Sequence, residues 1–177
     1  MTHKKALTKK FFAGPTLKTA ESLLGKYLVR RRGEKIEAYM ITEVEAYDGP
    51  KDRASHAFHG RTVRTETMFG DPGKLFIYLT YGMHWMLNVV AGPKDYPAAI
   101  LIRGVVGING PGRVTKSLGV NKSLNDKEAN KLNGVWFEDR GVVIKRSMIE
   151  FTPRIGVDYA GPYWAARKYR LVLIGNR

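Results

Sequence analysis

Apolar and polar residues alternate most regularly in EAYMITEVEAY. This pattern sets Tyr39, Ile41, Glu43, Glu45 and Tyr47 on one face of a long strand and Met40, Thr42, Val44 and Ala46 on the other. Asp48-Gly49-Pro50 ends that strand as a turn. YLVRRR reads as the strand before it, and further strands are predicted over 74–79, 84–90 and 98–106, then in GVWFED, GVVIKRS and YRLVLIG. Helical signals are fewer. LKTAESLLGK carries a stripe of Leu17, Ala20, Leu23 and Leu24, with Thr16 as N-cap and Gly25 as its end. Short helices are predicted after NGPGRV and in SLNDKEANKL, and a single turn in PYWAARK. The predicted class is α+β: one domain over residues 1–177, built on a curved, mainly antiparallel, barrel-like sheet with a few peripheral helices and a protruding β-hairpin. Residues 1–10 are predicted to be a flexible basic N-terminus.

Composition narrows the function. A chain of 177 residues with 44% hydrophobic positions can bury a core without staples. With no cysteine, disulfides, zinc–thiolate sites, iron–sulfur clusters and thiol nucleophiles are excluded. MTHKKALTKKFF has a basic start but no apolar stretch of signal-peptide length, and runs such as PAAILI are too short to cross a bilayer. A cytoplasmic protein (nucleoid-associated in a bacterium) with no membrane partner is expected. Thirty Lys and Arg against sixteen Asp and Glu give a formal charge of +14, the balance of a protein that sits on a polyanion. The basic residues are spread through the chain, as in KYLVRRR and RKYR, which predicts a basic face rather than a tail. Nucleic acid is the expected partner.

Three stretches offer chemistry. Glu43 and Glu45 share a predicted strand face with Tyr47 just before a turn. Either that face is solvated, or one carboxylate is held where it can take a proton from a water. His56 and His59 lie three apart in the irregular segment 51–73 without a convincing third ligand, so neither metal nor cofactor is expected. Zinc-dependent base deamination is excluded for want of a PCxxC motif. GINGPGRVTKS is neither a Walker loop nor a GxGxxG, although its helix start could still grip a phosphate. Finally, LFIYLTYGMHWMLNVV forms a hairpin with Thr80-Tyr81-Gly82-Met83 at its tip. A water-facing tip is ordinarily polar. This one suits either a core or a wedge entering stacked bases, as minor-groove proteins do.

EVEAYDGPKDRASHA, LFIYLTYGMHWMLNVV, AAILIRG and NGPGRV, in that order, resemble the alkyladenine (3-methyladenine or N-methylpurine) DNA glycosylases from about Phe11 to Ile174. His59, Val63 and Thr65 depart from the pattern, where many relatives carry a smaller residue, proline and asparagine. The resemblance implies a monomer that binds double-stranded DNA from the minor-groove side, without a cofactor, and turns a damaged purine into a pocket for hydrolysis at C1′. On its motifs Glu45 is the general base and Arg103 its partner in holding the water. Tyr47, Tyr78, His56 and Ala54 line the base pocket, and Asn88 obstructs the 2-amino group of guanine. Tyr81, with Met83 beside it, enters the DNA. A nucleic-acid binder without catalysis is the alternative; a helix-hairpin-helix glycosylase fits poorly, because NGPGRV is not an LPGVG-type hairpin.

One geometric condition follows. With a two-residue turn at Tyr81-Gly82, Tyr78 would pair with Trp85 and face away from Asn88. Both can line one pocket only if the loop has an odd number of residues or carries a bulge.

Overall fold

The spine of the computed structural model, which describes residues 4–175, is the fourteen-residue strand β3 (Lys35–Asp48). One edge of it pairs with β6 (Ala98–Val105). The other edge pairs first with β2 (Tyr27–Arg32) and then with β10 (Arg170–Leu173). Beyond β6 lies the hairpin of β4 (Leu75–Thr80) and β5 (His84–Val90), and β7 (Ile108–Asn109) returns onto β6. Beyond β2 lie β8 (Val135–Asp139) and β1 (Lys5–Ala6), and β9 (Ile149–Thr152) pairs with β10. All these pairings are antiparallel, in the order β1-β8-β2-β3-β6-β5-β4, and the path does not close. The sheet is therefore open rather than a barrel. Four helices flank it among the described residues: α1 (Lys9–Phe12), α2 (Thr16–Leu23), α3 (Pro111–Leu118) and α4 (Pro162–Ala165). Leu23, Ile41, Val44, Leu87, Ile100, Val114, Leu118 and Phe137 share one large core.

Several expectations need correction. Residues 1–3 lie outside the described part of the expected flexible tail, but Lys5–Ala6 is paired to β8 and Lys9–Phe12 is helical. Thr16 is the first residue of α2 rather than its cap; Pro15 holds the N-cap position, and the buried Thr16 hydroxyl has no hydrogen-bond partner among the described residues. SLNDKEANKL is not a helix beyond the single turn Lys122–Leu124. Asparagine side chains within it and just before it take backbone donors that a helix would use or that lie on other elements: Asn121, two residues upstream, accepts from Ser123, Asn130 from Asn133, and Asn125 from Ile77 on β4. GVVIKRS is not a strand either: residues 142–145 run as irregular chain into the turn Arg146–Met148.

The alternation in β3 also fails locally. The register slips between Ile41 and Glu43, opposite Val105 and Gly104, and returns between Glu43 and Val44. Ile41, Val44 and Ala46 consequently lie in the same core, although strict alternation would separate them.

Candidate active site

The hairpin meets the geometric condition. Thr80 pairs with His84, so three residues form the loop, and the odd count puts Tyr78 opposite Met86 and Phe76 opposite Asn88. Tyr78 and Asn88 accordingly share a face and line one small void of about 10 Å³ with Tyr47, His56 and Phe76. The turn is closed by the Met83 N–H donating to the Thr80 carbonyl at 3.1 Å. Both central residues have positive φ, Tyr81 at +51° and Gly82 at +67°. Glycine takes that conformation freely, whereas a tyrosine there costs about 1–2 kcal/mol. Tyr81 is 85% exposed and Met83 68%, so the tip buries neither side chain in return.

Beneath the hairpin a cavity of about 300 Å³ is lined by Glu45, Tyr47, Ala54, His56, Tyr78, Tyr81 and Arg103, among others. Every residue expected at the base pocket borders this cavity or the void beside it, and Tyr81 reaches its rim. Met83 lines neither and stands out in solvent.

Glu45 lies at the floor and is fully buried. Its Oε1 accepts the Ile155 N–H at 2.8 Å and lies 3.4 Å from Nη1 of Arg103; its Oε2 accepts the Tyr47 hydroxyl at 2.9 Å. Burial pushes this carboxyl above its ordinary 4.5, and Arg103, the Ile155 amide, Tyr47 and Arg154 only partly counter that. A buried carboxylate raised in this way, yet still held by donors, has the chemistry to take a proton from a small polar molecule in the cavity.

The walls are flat and uncharged. Burial, then Glu45, holds the Tyr47 phenol well above 10, and burial pushes Tyr78 up to about 12, so both are neutral donors at pH 7. His56 meets Tyr78 edge-on at 4.5 Å between centroids. Desolvation of its ring, then Arg64, lower His56 to about 4. The residue keeps an exposed outer side, where water offsets part of that cost, and the imidazole is neutral at pH 7. Asn88 is buried, its Nδ2 donating to the carbonyls of Phe76 at 3.0 Å and Met86 at 3.4 Å, which fixes the plane of its amide.

Residues that sequence reasoning missed hold this arrangement. Arg154 reaches from the far end of the chain to Asp52, its Nη1 at 2.5 Å and Nη2 at 2.8 Å from the two carboxylate oxygens, and also donates to the Ala46 carbonyl at 2.9 Å. Asp52 in turn accepts the backbone N–H groups of Asp48 and Ala54. The turn after β3 is thereby pinned, and the Arg154 guanidinium lies 4.8 Å from the Tyr47 ring centroid. Tyr159 lines the cavity and donates to the Ala54 carbonyl at 2.8 Å. Between 60 and 65, the Thr65 hydroxyl donates to the Gly60 carbonyl and accepts the Thr62 N–H. Of the two histidines, only His56 faces the cavity. The described residues contain no group of three His, Cys, Asp or Glu that could hold a metal ion.

A flat neutral slot over a buried carboxylate, on a chain of formal charge +14, has the shape and charge that suit a planar, electron-poor group carried by a polyanion. The family model for methylpurine-DNA glycosylase (MPG) matches residues 10–109 and 106–177. Three relatives bear the name "Putative 3-methyladenine DNA glycosylase". That of Anaeromyxobacter dehalogenans (strain 2CP-C) is 40% identical over 177 residues, covering 96% of this chain and 84% of its own length. That of Myxococcus xanthus (strain DK1622) is 40% identical over 174 residues, covering 93% and 88%. That of Ehrlichia ruminantium (strain Welgevonden) is 40% identical over 163 residues, covering 87% and 84%. The chain belongs to the methylpurine-DNA glycosylase family, whose members are DNA repair enzymes.

Proposed function

We propose that the chain is a monofunctional DNA glycosylase that turns alkylated or deaminated purines out of the duplex and hydrolyses their N-glycosidic bonds. The supporting observation is Glu45, buried and raised, beneath a slot walled by Tyr47, Tyr78 and His56. The flipped base stacks between Tyr78 and His56 on one side and Tyr47 on the other. Neutral electron-rich rings favour a cationic purine such as 3-methyladenine or 7-methylguanine over a normal base. Hypoxanthine and ethenoadenine are mispaired or unpaired, so less energy is spent in extruding them.

Glu45 and Arg103 hold a water beneath C1′. The bond from C1′ to the purine nitrogen breaks first, with its electron pair leaving on the base. The sugar becomes oxocarbenium-like, and the Glu45 carboxylate stabilises that charge. The water oxygen then bonds to C1′ while its proton passes to Glu45. A cationic purine departs neutral and needs no general acid. Asn88, with its amide plane fixed, meets the 2-amino group of guanine and disfavours the normal base; cationic 7-methylguanine carries the same group and offsets that clash by its stronger stacking. Tyr81 and Met83 enter from the minor groove and fill the vacated stack; the strained, exposed tip suits that role.

The test is release of free base from duplex DNA carrying one 3-methyladenine or hypoxanthine. Base release with the strand left intact until alkali is added supports the proposal. Spontaneous strand cleavage refutes the monofunctional reading. Tight binding of the duplex without release refutes the enzyme.

A further inference from the structure

The catalytic assignment uses Arg103 through a single contact, 3.4 Å from Glu45. An arginine free to choose beside a buried carboxylate makes two parallel bonds to it, at about 2.7–2.9 Å. Arg103 does not, because its Nε–H is taken by Glu43 Oε1 at 2.9 Å. The same oxygen accepts Nε–H of Arg170, on β10, at 2.6 Å. Charges therefore alternate along Arg170, Glu43, Arg103 and Glu45, from the outer strand to the cavity floor. The outer three are no surface pairs: their side chains are 19%, 13% and 12% exposed.

The backbone is shaped for this chain of contacts. Glu43 sits at the register slip in β3, opposite Gly104, the residue after Arg103. A side chain at position 104 would place its Cβ 3.2 Å from Glu43 Cβ and 3.3 Å from Thr42 Oγ1. Glycine there lets the two strands close on one another just where Glu43 must reach Arg103. Bulges beside active sites re-aim side chains in this way.

We propose that Glu43 is a positioning residue for the reaction: braced by Arg170, it holds Arg103 by Nε so that one edge of the guanidinium faces Glu45 without clamping it. The inference rests on the catalytic reading above. Without Glu43, Arg103 turns its whole fork onto Glu45, the carboxylate binds its proton less well, and the place for the water closes.

The test is single-turnover release of methylated purines from methylated duplex DNA across pH 4–8, with thermal melting of each protein to confirm folding. Glu45 faces Tyr47 on its own strand, Arg103 on β6, Tyr78 on β4, and Arg154 and Tyr159 from the segment before α4. His56 titrates within the same acid range but is common to every protein compared, so the shift between proteins is the readout. Glu43→Gln is expected to slow release by about 10- to 100-fold at pH 7 and to move the acid limb to lower pH. Glu43→Asp keeps the charge and returns the limb toward the wild-type position. Arg170→Gln removes a positive charge instead and moves the limb to higher pH.

A sheet-stapling ion pair would lower melting temperatures without shifts of opposite sign. A folded Glu43→Gln protein with wild-type rate and limb overturns the proposal. If that variant does not fold, Arg170→Gln decides: an upward shift supports the proposal, and an unmoved limb overturns it. Failure of the wild type to release any base removes the catalytic reading, and this inference with it. Wild-type release with unmoved limbs removes this inference alone.

Discussion

Replacing Asp52 by Asn tests how the base pocket is held. Four donors converge on two oxygens: Asp48 N–H and Arg154 Nη1 on Oδ2, Ala54 N–H and Arg154 Nη2 on Oδ1. The side chains of Asp52 and Arg154 are both fully buried, and the Arg154 Nε has no hydrogen-bond partner among the described residues. Asparagine can serve only one of the two oxygen positions and turns an NH₂ toward the donors at the other. It also leaves the guanidinium without its counter-charge. Breaking a buried pair from one side costs about 3–5 kcal/mol. For a chain of this size that is a fall in Tm of about 6–20 °C. Urea denaturation at pH 7 measures the loss directly. Combining Asp52→Asn with Arg154→Met removes the stranded charge, so the double variant should be more stable than the two single losses predict, by about 1–3 kcal/mol. A loss below about 1 kcal/mol for Asp52→Asn, or simple additivity, would refute the reasoning.

Other consequences can be checked separately. His56 is lowered to about 4 from 6.5, so the native state binds fewer protons than the unfolded state between those values. Its contribution to stability is then present above 6.5 and lost as pH falls toward 4; NMR titration of the ring should show no midpoint near 6.5, and one there would contradict the site's electrostatics. Tyr81→Ala removes an exposed side chain and should leave stability within about 0.5 kcal/mol, while weakening binding to damaged duplex about tenfold or more. Unchanged binding would take Tyr81 out of the interface. Asn88→Ser removes the side-chain amide's bonds to the Phe76 and Met86 carbonyls, costs about 0.5–1.5 kcal/mol and should raise release of unmodified guanine. If guanine release stays at background in the folded variant, Asn88 is not what excludes it.

Much of the sheet was legible because apolar or alternating runs were bounded by Gly, Pro and Asp: alternation marked β3, and short apolar runs marked β2 and the hairpin. The hairpin was legible through function, since only an odd loop or a bulge puts Tyr78 and Asn88 on one face, and the chain uses the odd loop. The slip at Glu43 was not, because a bulge changes which face a residue takes without changing the pattern of residue types. Ile155 was invisible for another reason: it serves Glu45 through a backbone N–H, which every residue except proline has. Asp52 and Arg154 lie 102 positions apart, and no local periodicity connects them. The false helix at 123–132 came from composition, which hides how readily asparagine side chains satisfy the backbone themselves.

The central claim is that Glu45 performs chemistry on a base already bound in the slot. Single-turnover release of 3-methyladenine from duplex DNA, measured beside binding of the same duplex, for wild type and Glu45→Gln, tests it most directly. The account predicts binding by both proteins and release by the wild type alone. Equal release by Glu45→Gln would contradict it, and so would binding by wild type with no release.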